Sequence, residues 1–280
     1  MGRLDSLYQA RSRNFRVAEL SHDARLFDEQ IGWPILPATN EPHQLLQYQV
    51  DIEEYPGKDI IINKSNKCGI TEAVLRKIIR MSVVGELAGY DVILGSSLEE
   101  LAAENMRRLQ EIFNSSTLLR PLMTEAIVTR TRLWNGTRFL CMPSNPTAMR
   151  SWPRVKCVFL DEAGHIGRLD DTEYFAAASS RLANTNGYMY IVSTPHGQRG
   201  FFYDLYTKVV EGKIEMKRFE LPYTVGMGVF YTQEFIDKEK ARLGNRFAGE
   251  YNCEFLGSEN AAIEPELIDK NVEGYDAEKW

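Results

Sequence analysis

The stretch Val155–Gly164 reads V-K-C-V-F-L-D-E-A-G. Four of its residues, Cys157, Val158, Phe159 and Leu160, are apolar in unbroken succession. A short apolar run with β-branched and aromatic members predicts a strand covered on both faces, as in a parallel sheet between helices. Asp161 and Glu162 close the run. Neighbouring carboxylates at the end of a buried strand are costly unless a cation or a reacting group meets them there. Read alone, the pair fits an ordinary polar turn as well as a site.

Upstream, Asp59–Asn63 (D-I-I-I-N) predicts another buried strand, followed by K-S-N-K-C-G-I-T from Lys64 to Thr71. Ala73, Val74, Ile78, Ile79 and Val83 then recur at helical spacing. Strand, basic Gly-containing loop and helix is a layout that binds phosphate, because the first amides of the helix point at the anion and a lysine neutralises it. The sequence departs from G-x-x-x-x-G-K-[ST], since Ile70 stands where a lysine would precede the hydroxyl residue. The charge must then come from Lys64 or Lys67. A basic strand-to-helix turn without a ligand is the competing reading of this segment.

Downstream, Gly187–Ser193 (G-Y-M-Y-I-V-S) predicts a further strand, ending in Ser193-Thr194-Pro195 and the loop H-G-Q-R-G. Tyr90–Ser96 predicts another, and Leu98–Phe113 carries an amphipathic helix. Ile127–Trp134 and Thr137–Met142 flank Asn135-Gly136, the dipeptide suited to a two-residue type I′ hairpin turn. Helices are expected at 170–182, 201–210 and 233–243, a strand at 214–221, and a helical turn within 246–255. Strands alternating with helices make the fold class α/β, a mainly parallel sheet with helices on both faces and an antiparallel edge hairpin.

Composition narrows the function classes. The chain has 280 residues, 44% hydrophobic and 26% charged, ordinary for a globular protein. No apolar run is long enough to span a bilayer, and no membrane partner is expected. Cys68, Cys141, Cys157 and Cys253 form no C-x-x-C pair and read as reduced thiols. No zinc-type histidine spacing occurs, and His165, three residues past Glu162, reads as a turn histidine rather than half of a metal pair. The net charge of −6 argues against a broadly basic nucleic-acid coat while leaving room for a local basic face.

Seven segments occur together in one order: Tyr48-Gln49; K-S-N-K-C-G-I-T; V-I-L-G-S-S; M-P-S-N-P-T-A-M-R-S; C-V-F-L-D-E-A; I-V-S-T-P-H-G-Q-R-G-F-F-Y-D-L-Y; and F-A-G-E-Y-N-C-E-F-L-G-S. Together they resemble the P-loop ATPase domain of viral terminase large subunits, over roughly residues 42–258. The resemblance implies a Mg2+-dependent ATPase that drives double-stranded viral DNA into a procapsid. It implies a deviant Walker A loop at Lys64–Thr71 and a Walker B strand ending at Asp161 and Glu162. Its partners would be portal protein, the small terminase subunit and further copies of itself in a ring, pentameric by analogy, in the host cytoplasm.

By the same resemblance, Gln49 contacts adenine, while Ser65, Asn66, Lys67, Cys68, Gly69, Ile70 and Thr71 surround the phosphates. Lys64 or Lys67 neutralises them, and Thr71 and Asp161 hold Mg2+. Glu162 polarises the attacking water, Ser193 and Thr194 sense the terminal phosphate, and Arg150 stabilises charge in this or a neighbouring subunit's site. The implied division is an N-terminal arm (1–41), an ATPase core (42–213), a lid-like subdomain (214–258) and an acidic tail (259–280). Such subunits continue into a nuclease domain, and no nuclease activity is expected of residues 1–280. A helicase-like ATPase and a nucleotide-binding scaffold without hydrolysis are the alternatives.

Overall fold

The computed structural model describes residues 17–36, 38–143, 146–167 and 171–257. Residues 1–16 and 37 of the expected arm, the acidic tail, and Ser144 and Asn145 of the loop before Val155 lie outside them. The centre is an eight-stranded sheet in the order β10-β3-β9-β8-β4-β7-β6-β5. Its strands are β3 (Asp59–Lys64), β4 (Asp91–Ser96), β5 (Met123–Ile127), β6 (Arg130–Leu133), β7 (Arg138–Met142), β8 (Val155–Asp161), β9 (Tyr188–Ser193) and β10 (Lys217–Leu221). A separate antiparallel pair joins β1 (Ile35–Leu36) to β2 (Glu41–Pro42). The six strands from β10 to β7 are parallel, and β6 and β5 follow antiparallel at the edge.

Side-chain alternation sorts the sheet into two cores. Ile60, Ile62, Val92, Leu94, Cys157 and Phe159 face one cluster, whereas Ile61, Ile93, Val158, Leu160 and Ile191 face the other. The first is covered by α3 (Ile70–Val83) and α4 (Glu99–Ser115), the second by α6 (Asp171–Leu182) and α7 (Gly200–Val210). Both faces of the inner strands β3, β9, β8 and β4 are thus dry, which is why these strands read as continuous apolar runs. The remaining helices are α1 (Ala24–Ile31), α2 (Gln47–Glu54), the short α5 (Pro146–Met149), α8 (Gln233–Leu243) and α9 (Arg246–Asn252). α1 is docked against α2 and α3 through buried Ala24, Phe27 and Ile31.

Three expectations need correction. The strand expected from Ile127 to Trp134 is two strands, because Val128 and Thr129 form the turn between β5 and β6. The Asn135-Gly136 turn is not type I′, which needs positive φ at both central residues. Gly136 has φ 88° while Asn135 stays out of the left-handed region. Gly136 N–H donates to Leu133 O, and Leu133 N–H to Thr137 O, closing a three-residue loop. The Asn135 side chain meanwhile donates to Ser82 O at 2.8 Å. Finally, β10 pairs in parallel with β3, so the segment assigned to a lid from residue 214 begins inside the main sheet.

Candidate active site

β9 lies between β3 and β8, and all three run the same way. Asn63 is in register with Ser193, and Leu160 with Ile191. Lys64, Asp161, Glu162, Ser193 and Thr194 therefore leave the sheet at one edge, brought together from three distant stretches of sequence.

Lys64 is the last residue of β3 and is 4% exposed. Its Nζ donates to Glu162 Oε1 at 2.9 Å. Burial by itself depresses the Lys64 ammonium, but Glu162 and Asp161 outweigh it and leave its pKa above the ordinary value. Burial likewise pushes Glu162 up, and Lys64 reverses the sign, holding that carboxyl below its usual range. Asp161 goes the other way, raised by burial and by the charge of Glu162. Two facing carboxyls pushed apart in this way have different tasks available to them. Glu162 also has left-handed backbone, φ 51°, a costly conformation for a residue with a Cβ and one that recurs at functional sites.

Thr71 Oγ1 donates to Asp161 Oδ2 at 3.1 Å. A hydroxyl beside a carboxylate is hard-oxygen chemistry of the kind magnesium prefers. The residues present thus fit a magnesium ion completed by phosphate oxygens and water. Among the described residues no cluster of three or more His, Cys, Asp or Glu side chains is arranged for a metal.

The loop from Lys64 to Thr71 is held from both sides. Tyr48 donates to Cys68 O at 2.7 Å, and buried Gln49 donates to Gly69 O at 3.1 Å. Gly69 has φ 72°, and a Cβ there would lie 2.7 Å from Phe230 Cζ and 2.8 Å from Gln49 Nε2, so glycine is required. On the other side, Asn66 N–H donates to Glu250 O, its side-chain amide to Glu250 Oε2, and Tyr231 OH to Asn66 O. Ser65 N–H is bonded to Leu221 O and Ser65 Oγ lies 3.1 Å from Tyr231 OH. Ser65 and Asn66 are thus turned toward the C-terminal segment, while the first amides of α3, like those of any helix start, lack partners within the helix.

Cys68 is buried, with Sγ donating to Ser65 O. Ile70 is buried in the apolar core, so position 70 contributes no charge and packs the start of α3 instead. Lys67 is exposed, with φ 57°, and borders a cavity of about 840 Å³. Gln49, Gly69, Phe230, His43 and Trp33 also line that cavity, whose size suits a nucleotide. Arg150 is drawn elsewhere: its Nη2 donates to Glu173 of α6 at 2.9 Å in an exposed ion pair.

Several participants were not foreseen. Asn105, buried on α4, donates to Asp161 Oδ2 at 3.1 Å. A lone asparagine on the apolar stripe Ala102, Met106, Leu109 and Phe113 was a readable signal of a buried polar task. Tyr231 and Glu250 carried no such signal, since only folding brings them to the loop.

No family model and no curated protein matches the chain. Solved structures do. The ATPase domain of the Thermus phage P74-26 large terminase superposes with a TM-score of 0.63 at 18% identity, covering 82% of this chain and 97% of that one. This chain has the phage large-terminase ATPase fold. The HK97 bacteriophage large terminase matches with a TM-score of 0.67 at 16% identity, over 83% of this chain and 54% of that one. The large terminase of a thermophilic bacteriophage, in complex with ATP-gamma-S, gives 0.59 at 11% identity, over 75% and 53%. The chain therefore spans about half the length of these last two large terminases. At these identities the likeness concerns the terminase fold, and the chemistry rests on the residues themselves.

Proposed function

We propose that this chain is the ATPase motor of a viral terminase large subunit, coupling ATP hydrolysis to movement of double-stranded DNA into a procapsid. The observation that carries the proposal is the meeting of Lys64, at the end of β3, with Glu162, just past the end of β8, and of Thr71, in the first turn of α3, with Asp161. Lys64 places a fixed positive charge where the outer phosphates of a nucleotide on the loop would lie, and Lys67 offers a second at the cavity wall. Thr71 and Asp161 would hold magnesium, which neutralises charge on the β- and γ-phosphates when bound. Asn105 fixes the Asp161 carboxylate through its amide. Glu162, kept ionised by Lys64, is the group able to accept a proton from an attacking water. Gln49 and the cavity beside it would receive the base. Ser193 and Thr194 face the same edge from β9. Arg150, paired with Glu173 within the subunit, could serve a neighbouring subunit only by leaving that partner.

Double-stranded viral DNA, portal protein, the small terminase subunit and a ring of copies in the host cytoplasm remain the partners and setting proposed for such a motor. The decisive measurement is phosphate release from ATP by the wild-type chain and by Glu162→Ala. Turnover should fall by about 10²–10⁴-fold while a fluorescent ATP analogue still binds. Wild-type-like turnover in the variant removes Glu162 from the mechanism. Nucleotide binding without turnover in the wild type, with DNA and portal present, favours a packaging scaffold, the reading that Ile70 in place of a lysine keeps in view.

A further inference from the structure

Glu162, His165 and Thr194 form a closed contact ring on the side of the site away from the phosphate loop. His165 lies at the end of the short 3₁₀ turn Ala163–His165, directly after β8. Its Nε2 is 2.8 Å from Thr194 Oγ1 and 3.8 Å from Glu162 Oε2. Thr194 completes the ring from the β9 side, where its backbone amide helps to hold the Glu162 carboxyl below its usual range. The other carboxylate oxygen, Oε1, is the one facing Lys64. Glu162 is therefore bracketed, with Lys64 on the phosphate-loop side and the His165–Thr194 pair on the β9 side.

The turn is stitched to β9 a second time. Gly164 N–H donates to Ser193 Oγ at 2.9 Å, and a Cβ at Gly164 would lie 3.0 Å from that oxygen and 3.2 Å from Thr194 O. A side chain there would make the tip of β9 give by a few tenths of an ångström. Beyond the ring, the His165 imidazole packs on that of His196, centroids 4.5 Å apart. Arg199, which caps α7, lies 3.3 Å from His196 Nε2. The contacts thus run from the carboxylate pair into the start of α7.

We propose that His165 is a positioning residue: it seats the Glu162 carboxylate against Thr194, so that β9 and the start of α7 respond to what Glu162 contacts. This rests on the assignment of Glu162 as the group that handles the attacking water. A side chain that only filled space would be replaceable by any residue of similar bulk. The geometry demands instead a ring or amide nitrogen at the Nε2 position, within reach of a hydroxyl.

The test measures kcat and KM for ATP in the wild type, His165→Ala, His165→Gln, Thr194→Val and the double variant His165→Ala/Thr194→Val. Misplacing a reacting group by a fraction of a turn costs on the order of 10–100-fold. His165→Ala should lose about that factor in kcat with KM changed less than about twofold, since the loop and cavity are untouched. His165→Gln, whose amide nitrogen can occupy the Nε2 position, should recover most of it. The double variant should be no slower than the worse single one, as expected for groups acting as a unit. Unchanged kcat in His165→Ala, no recovery with Gln, or additive losses in the double variant each overturn the proposal. A wild-type chain without turnover overturns the ATPase assignment itself and this proposal with it, an outcome told apart by the wild-type measurement alone. Thermal melting of each variant identifies any loss that is merely unfolding, and Thr194→Val then carries the same test from the other side of the hydrogen bond.

Discussion

Two buried charge clusters flank the helix α3, and they are built differently. At its N-terminus stand Lys64, Thr71, Asp161 and Glu162. Along its length stand Arg76, Lys77 and Arg80, facing Asp28 of α1 and Glu53 of α2. In the first cluster the charges are paired yet partly open: the Glu162 side chain is 27% exposed beside a Lys64 that is only 5% exposed. In the second they are sealed. Arg76 and Asp28 are 4% and 0% exposed at 2.8 Å, and Arg76 also donates to Gly32 O and to Glu72. Lys77 donates to the carbonyls of Glu53 and Tyr55. Arg80 donates to the carbonyls of Glu53 and His22. Burial, followed by the neighbouring Arg80, brings the Lys77 ammonium down to about 8.

The contrast separates two uses of buried charge. The sealed cluster spends its hydrogen bonds on backbone carbonyls and on the ion pairs of Arg76 with Asp28 and Glu72, and so fastens α1 and α2 to α3. The open cluster keeps its groups at the ends of strands and the start of α3, where, on the proposed function, an incoming phosphate would compete for Lys64. Charge in the first cluster keeps a partner at the mouth of a site, and charge in the second is closed in by helices even where, as at Glu53, it lacks a hydrogen-bond partner.

The largest expected effect breaks the sealed side. Arg76→Met leaves Asp28 as a buried charge without its partner, and unfolding free energy in urea should drop by about 3–5 kcal/mol. Lys64→Met frees a carboxylate that can still reach water and should cost clearly less. Equal losses would erase the distinction between the clusters.

The next effect sharpens the open side. Lys64→Ala should weaken binding of a fluorescent ATP analogue by at least about tenfold, since a charge-assisted hydrogen bond contributes roughly 1.5–3 kcal/mol. Lys67→Ala, exposed at the cavity wall, should weaken it only a few-fold. The reverse order would assign the phosphate charge to Lys67.

The smallest effect is a pH dependence. Burial, with Asp28 adding to it, pushes the Glu53 carboxyl well above its ordinary 4.5, and neither oxygen has a hydrogen-bond partner among the described residues. The folded protein thus keeps this proton at pH values where the unfolded chain has released it. The stability tied to that proton is complete below about pH 4.5, the unfolded value, and is lost as pH rises toward the folded one. One proton corresponds to at most about 1.4 kcal/mol per pH unit. Glu53→Gln should therefore flatten the decline of urea stability between about pH 5 and pH 8 relative to the wild type. Parallel curves would mean that Glu53 is ionised in the fold.

Much of the open cluster was legible in sequence because its parts are punctuation. Asp161 and Glu162 end an apolar run, Lys64–Thr71 separates a strand from a helix, and Ser193-Thr194 ends another run. The sealed cluster was not legible. Arg76, Lys77 and Arg80 look like the solvated face of an amphipathic helix until α1 and α2 are seen to cover them. Asp28 and Glu53 look like ordinary polar residues for the same reason. The edge hairpin was half legible: Asn135-Gly136 marked the turn, but the backbone geometry and the extra strand β5 depended on pairing that local propensity does not encode.

By itself, then, the sequence determined the α/β class, most element positions and the two carboxylates at a strand end, because apolar periodicity and loop chemistry act over a few residues. Only the tertiary structure decided that β9 separates β3 from β8, that Lys64 rather than Lys67 brings charge to Glu162, and that Ser65 and Asn66 are held by Tyr231 and Glu250. It also decided that His165 and Thr194 meet across the Glu162 carboxylate. Each of these is a contact between residues far apart in the chain, and strand order and register, which no single segment contains, set which of them meet.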